Sequence, residues 1–271
     1  MRVAAAVMPG IESDHALLVA AVREAGALAM HSFGRDVETW EKRPGQPVCR
    51  ADLDVNDVLA ERLRDARPAY AWLSEEDDDD PARLDAERVW IVDPIDGTRA
   101  FLDHRPEFAV SVALAVNGAP VAAAVFNPAT DELFDARAGS GARRNGAPVR
   151  ASDASALAGA RLVVSRTEMR RAGWHAGLGE MTITAISSTA YKLALVAAGQ
   201  SDASATLWPK SEWDIAAGDL LVREAGGRIG DVAGAAFVYN RARPRFGSIV
   251  AAGARLYTPL RERLEALTSD T

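Results

Sequence analysis

The feature that most narrows the possible folds is Asp93-Pro94-Ile95-Asp96-Gly97-Thr98, directly behind the run Arg88-Val89-Trp90-Ile91-Val92. That run is short, β-rich and mostly apolar, and it reads as a buried strand. Proline cannot donate to a sheet ladder, so the strand is expected to end at Pro94. Asp93 and Asp96 then sit at a strand's exit rather than within its core. Gly97 allows the backbone to bend tightly or approach a ligand closely. Thr98 is expected to cap Arg99-Ala100-Phe101-Leu102, whose first N–H groups point outward. The acids attract a cation, whereas the free N–H groups attract an anion such as phosphate. A metal-bound phosphate ester satisfies both.

With 271 residues, the chain can hold one large domain or two modest ones sharing a core. A net charge of −7 argues against a nucleic-acid polymer as partner, although a local basic patch stays open. Cys49 is the single cysteine, which excludes an internal disulfide and fits a reducing compartment. The Met1 to Met8 stretch is too brief for a signal-peptide core. No segment reaches the roughly 18 to 20 apolar residues that span a bilayer. These features predict a cytoplasmic protein with no membrane partner.

In chain order, Ser13-Asp14 reads as a cap for a helix through Met30, and Gly34 as its stop. The turn-rich Glu41 to Pro47 reads as a mobile loop, with Lys42 and Arg43 either solvated or near an anion. Asp52 to Asp57 opens a second helix running to about Arg64. A calcium loop does not fit there, because Asp57 stands where glycine is needed and Leu63 where the bidentate glutamate is needed. An aspartyl-phosphate signature on Asp52 and Asp54 needs an apolar strand before it, and Pro47 to Ala51 is a poor one. Asp54 and Asp57 read as first-turn helix charges.

Ala71 to Ser74 reads as a strand that releases Glu75 at its end, much as Arg88 to Val92 releases Asp93. Asp77 to Asp80 reads as a solvated loop. Asn117-Gly118 joins two strands as a hairpin, and a meander continues to Gly146. After residue 150, strands and helices alternate, predicting an α/β layer. Asp214 lies near the start of a helix rich in small residues. His15, His31, His104 and His175 lack metal-ligand spacing and are given no role.

Ser74-Glu75-Glu76, Asp93 to Thr98 and Trp213-Asp214-Ile215-Ala216-Ala217-Gly218 together resemble the signatures of the inositol monophosphatase family of lithium-sensitive, magnesium-dependent phosphatases. Their order and spacing agree, and the similarity runs over about residues 15 to 265. The resemblance implies an α/β (α+β) fold, a layered αβαβα sandwich, and a homodimer acting on a small phosphorylated substrate. It places two or three Mg2+ ions, with Mn2+ as the alternative, on Glu75, Asp93, the Ile95 carbonyl, Asp96 and Asp214. Asp52, Glu75 and Thr98 become the catalytic set, and Asp52 with Thr98 would orient and deprotonate a metal-activated water for in-line attack. Asp96, Gly97, Thr98, Ser188, Lys192 and Asp214 become the substrate-binding set. Residues 1–150 would then carry most metal ligands, and residues 151–271 would complete the site with Asp214.

Within the family, Phe101 to Phe108 and Lys192 look more like the bacterial 3′(2′),5′-bisphosphate nucleotidase branch. Ser74 replaces the glycine usual in inositol phosphatases, and Leu207 falls where those carry a sugar-contacting glutamate. Loss of a buried hydroxyl-reading acid weakens polyol recognition. Cys49 stands where both branches commonly carry threonine. The expected substrate is therefore 3′-phosphoadenosine 5′-phosphate, with inositol 1-phosphate or a broader range of sugar phosphates as alternatives. A catalytically inactive phosphate-binding regulator is the reading from another class. Asp93→Asn is expected to abolish turnover while leaving the fold intact, and wild-type-like phosphate release by that variant would sink the assignment.

Overall fold

The computed structural model describes residues 10–170 and 176–269; the Met1–Met8 reading and His175 lie outside them. Helix α1 (Ile11–Ser32) is capped by Gly10 rather than by Ser13-Asp14. Asp14 instead lies buried inside the helix, where Arg67 pairs with it at 2.6 Å and Tyr70 donates to it at 2.9 Å. Strands β1 (Thr39–Arg43) and β2 (Gln46–Cys49) form an antiparallel hairpin across Pro44-Gly45. The expected loop is thus a ribbon, and its polar, solvent-facing sequence is what hid it. Helix α2 (Arg50–Ala66) follows directly.

A seven-stranded sheet takes its strands in sequence order, β3 (Ala71–Ser74), β4 (Arg88–Asp96), β5 (Ala109–Val116), β6 (Ala119–Asn127), β7 (Glu132–Arg137), β8 (Ala142–Arg144) and β9 (Ala147–Val149). Only β3 and β4 pair in parallel; the rest form the expected meander, with Asn117 and Gly118 both at positive φ in the β5–β6 turn. Helix α3 (Thr98–Leu102) leaves the end of β4.

The second sheet, ordered β11-β10-β12-β16-β14, comprises β10 (Arg161–Val164), β11 (Thr182–Ala185), β12 (Ala203–Thr206), β14 (Gly227–Gly230) and β16 (Ile249–Gly253). A ribbon of β13 (Lys210–Ser211) and β15 (Arg245–Phe246) stands beside it. The helices of this half are α4 (Arg166–Arg170), α5 (Thr189–Ala197), α6 (Glu212–Glu224) and α7 (Tyr257–Ser269).

The layers follow from the burial pattern. Along β4, Trp90 and Val92 join the core under α1 and α2, while Val89 and Ile91 join the core under α5 and α6. Both faces are buried, so the strand reads as a continuous apolar run. α5 also meets β12 and β16, and α7 covers the second sheet's other face. The result is the αβαβα sandwich that the family resemblance implied.

The strand does not stop at Pro94. β4 runs to Asp96, pairing Asp93 with Ser111 and then Asp96 with Ala109. Three steps on β4 oppose two on β5, which is a bulge with one extra residue. β3 ends opposite Val92, so Pro94 has no partner on that side and its missing N–H breaks no ladder.

α5 and α6 approach closely because α6 carries small residues on the contact face. A Cβ added at Gly218 would lie 2.5 Å from the Leu193 Cβ. Gly218→Ala is expected to destabilise the fold by about 1–3 kcal/mol, read as a lower urea midpoint with an unchanged slope.

Candidate active site

In a regular strand, residues three apart point to opposite faces. The bulge removes that alternation, so Asp93 and Asp96 point to the α5/α6 side together while Ile95 turns into the core beneath α2. Asp214, third residue of α6, completes a trio with one carboxylate oxygen from each residue, all within 4.8 Å of one another. The Ser111 hydroxyl, opposite Asp93 on β5, reaches the Trp213 carbonyl at 3.4 Å. Glu75, released at the end of β3, is not part of the trio and stands at its rim.

Each acid is held differently. Asp96 accepts from the Ser188 hydroxyl at 2.6 Å and from the Ala190 N–H at 2.5 Å, at the start of α5. Asp214 accepts from the Ser211 N–H at 2.7 Å in a capping box. Asp93 is 1% exposed, and among the described residues neither of its carboxylate oxygens has a hydrogen-bond partner. Buried carboxylates are otherwise paired or bound to metal. Oxygen-only donors suit Mg2+ or a similar hard cation, so this set fits one.

Desolvation, then the charges of Glu75, Asp96 and Asp214, raise the Asp93 carboxyl well above its usual range. Desolvation and Asp214 raise Asp96 to about 6, against the lowering effect of its two hydrogen bonds. Desolvation, then the charges of Asp214 and Glu76, raises the Glu75 carboxyl to about 8.

Asp52 is the third residue of α2 rather than its cap. One oxygen accepts from the N–H (2.8 Å) and thiol (3.0 Å) of Cys49, which occupies the cap position. The other accepts from the Thr98 hydroxyl at 3.0 Å, and that hydroxyl also lies 3.2 Å from the Ile95 carbonyl. Thr98 is thus the first residue of α3, and its side chain serves Asp52 rather than the helix end. Burial raises the Asp52 carboxyl, and the Cys49 and Thr98 bonds oppose the rise. Gly97 caps α3 at φ +102°, where a Cβ would also lie 2.9 Å from the Glu107 carbonyl.

Cations ring the acids. Lys42, on the β1–β2 hairpin, donates to the Glu75 carbonyl at 2.9 Å and pairs with Glu76 at 2.5 Å. Lys192 is 2% exposed, with its ammonium 3.3 Å from the Ile186 carbonyl; desolvation, then Lys210, lowers it to about 8. Lys210, on β13, is raised by Asp214 and Asp96 against the opposing effect of its own burial. Sequence reasoning gave Lys210 no role. Its signal is its spacing, four residues ahead of Asp214. Asp77 to Asp80 are also less idle than expected: Asp77 accepts from Asn56 and Trp72, and Asp79 pairs with Arg83.

The family model for the inositol monophosphatase family matches residues 12–266. An inositol-1-monophosphatase of Rhizobium meliloti is 37% identical over 262 residues, covering 92% of this chain and 95% of that protein. The extragenic suppressor protein SuhB of Bartonella henselae superposes with a TM-score of 0.82 at 32% identity, over 92% of this chain and 97% of that one. An IMPase of Thermotoga maritima gives 0.81 at 28%, over 93% and 96%.

Because Glu75 and Asp96 have pKa values raised above their unfolded ones, the metal-free fold gains from them below about pH 4. That gain is lost as pH rises through about 6 and then about 8. Thermal melts in EDTA should show a midpoint falling from pH 5 to pH 8.5, and Mg2+ should abolish most of the fall. A flat profile without metal would contradict the electrostatics described. With its signature acids gathered at one point on an αβαβα frame, the chain belongs to the inositol monophosphatase family of phosphatases.

Proposed function

We propose that this chain is a Mg2+-dependent phosphomonoesterase whose preferred substrate is 3′-phosphoadenosine 5′-phosphate. The observation that carries the phosphatase reading is Asp93, a buried carboxylate with no protein partner beside Asp96 and Asp214. Asp93, Asp96, Asp214, Glu75 and the Ile95 carbonyl would hold two or three ions. A bound Mg2+ neutralises charge on phosphoryl oxygens and lowers the pKa of water.

The chain's own groups supply the rest. Thr98 donates its proton to Asp52, leaving its oxygen lone pairs free to accept from an attacking water. Asp52, made more basic by burial, takes up the proton at the far side of that hydroxyl. The free N–H groups at the start of α3 follow directly on Asp96 and would receive a phosphate there, and the positive φ of Gly97 makes the turn that presents them. Ser188 and the Ala190 N–H hold Asp96 in place. A protein that merely bound phosphate would have no use for the Asp52–Thr98 pair.

The nucleotide preference rests on Lys210 and Lys192. Two ammonium groups beside Asp96 and Asp214 favour a substrate with a second phosphate, and Lys210 is the less buried of the two. Lys192 contributes through its field rather than by direct contact. A second reading, inositol 1-phosphate, takes its support from the activity named for the Rhizobium meliloti relative. We further read residues 1–150 and 151–271 as two parts meeting at this site, in a cytoplasmic homodimer; a sedimenting mass near 28.8 kDa would overturn the dimer.

Phosphate release with Mg2+ should favour the nucleotide over inositol 1-phosphate. Lys210→Ala should lower kcat/KM for the nucleotide by about tenfold, equivalent to about 1.4 kcal/mol, with little change for inositol 1-phosphate. A preference for inositol would overturn the substrate assignment, and release from neither ester would overturn the phosphatase reading. Asp52→Asn and Thr98→Ala should each cost roughly 10²- to 10⁴-fold in kcat.

A further inference from the structure

We infer that Arg83, which has no part in the chemistry above, is a positioning residue that fixes the spacing between Glu75 and Asp214. The inference rests on the metal-site reading. Arg83 lies in the turn Pro81–Asp85 and is 2% exposed. Its Nε and Nη2 donate to Asp79 at 2.5 and 2.9 Å. Its Nη1 donates to Asn240 Oδ1 at 2.7 Å, and Nη2 also reaches the Arg241 carbonyl at 3.0 Å. Asn240 returns a bond from Nδ2 to the Arg83 carbonyl at 2.7 Å.

Glu212 grips the same two residues from the other side. Its carboxylate, fully buried, accepts the N–H of Asn240 at 2.7 Å and of Arg241 at 3.0 Å. Asn240 sits at φ +61°, a conformation that asparagine tolerates and that the surrounding bonds hold in place. Asp79 is four residues after Glu75, and Glu212 is two before Asp214. A continuous hydrogen-bonded strut therefore runs from the loop behind β3, through Arg83 and Asn240-Arg241, to the start of α6.

Glu75 and Asp214 are 139 residues apart in sequence (214 − 75 = 139), so packing alone must set their distance. Mg2+ demands near-octahedral oxygens at about 2.0–2.1 Å and tolerates little drift in its ligands. A buried guanidinium with four acceptors on three residues is a rigid spacer for that purpose. Removing it leaves Asp79, Asn240 and the Arg241 carbonyl short of donors, and the two ends of the strut part.

The test is calorimetric titration of Mg2+ into the EDTA-stripped protein for the wild type, Arg83→Gln, Asn240→Ala and Arg161→Gln. Arg161 is a control away from the site: half exposed, its guanidinium bonds, among the described residues, to Gly199, Gln200 and Asp202. Arg83→Gln should weaken Mg2+ binding about tenfold, while Arg161→Gln stays within about twofold. At saturating Mg2+, kcat of Arg83→Gln should stay within about threefold of wild type. Should Arg83→Gln fail to fold, Asn240→Ala carries the same expectation. Unchanged Mg2+ affinity in the strut variants overturns the inference, as does equal weakening in Arg161→Gln. No Mg2+ uptake by the wild type overturns the metal-site reading and this inference with it.

Discussion

Like charges forced together without solvent are the constraint on which this molecule is built. Asp93, Asp96 and Asp214 bring carboxylate oxygens within 4.8 Å of one another, and neither Asp93 oxygen has a hydrogen-bond partner among the described residues. Such a site is costly unless a cation completes it. The fold holds the acids in place nonetheless. A bulge turns two of them to one face, a serine and an N–H fix the second, and a capping box fixes the third. The protein thus stores its repulsion in a rigid frame instead of relaxing it.

The cations around the cluster divide by role. Lys42 binds the backbone and neighbour of Glu75, so it steadies the rim where the hairpin meets β3. Lys192 and Lys210 counter the charge of Asp96 and Asp214 and, among the described residues, form no ion pair with Asp93, Asp96 or Asp214. A lysine that closed onto Asp93 would neutralise the site and take the cation's place. Keeping positive charge near but not upon the ligands leaves the cluster attractive to a divalent ion.

Much of this was legible in the sequence because the decisive residues follow local rules. The apolar run before Asp93 marked β4, Asn117-Gly118 marked the β5–β6 hairpin, and two of the acidic motifs marked Asp93, Asp96 and Asp214, which the fold gathers. The errors share a cause. Ending β4 at Pro94 ignored where β3 stops, and only the register against β5 reveals the bulge that makes a proline harmless there. Local rules alone make Thr98 a cap; its bond to Asp52, 46 residues away, is what the family resemblance implies and no local rule does. The β1–β2 ribbon escaped because its first strand is exposed throughout and carries no alternation. Lys210 gives no periodic signal, and its spacing four residues ahead of Asp214 gains meaning only once the fold sets both beside Asp96.

The site is also divided in time. Asp96 leaves the ribosome 118 residues before Asp214 (214 − 96 = 118), which at about 5–20 residues per second is about 6 to 24 seconds of synthesis. Through that interval the meander from β4 to β9 can form with Asp93 and Asp96 open to water, each an ordinary solvated carboxylate. Docking of α5 and α6 then excludes water and adds the charge of Asp214 to those of Glu75 and Asp96. The acid trio is therefore complete only once α6 has joined the sheet that carries Asp93 and Asp96.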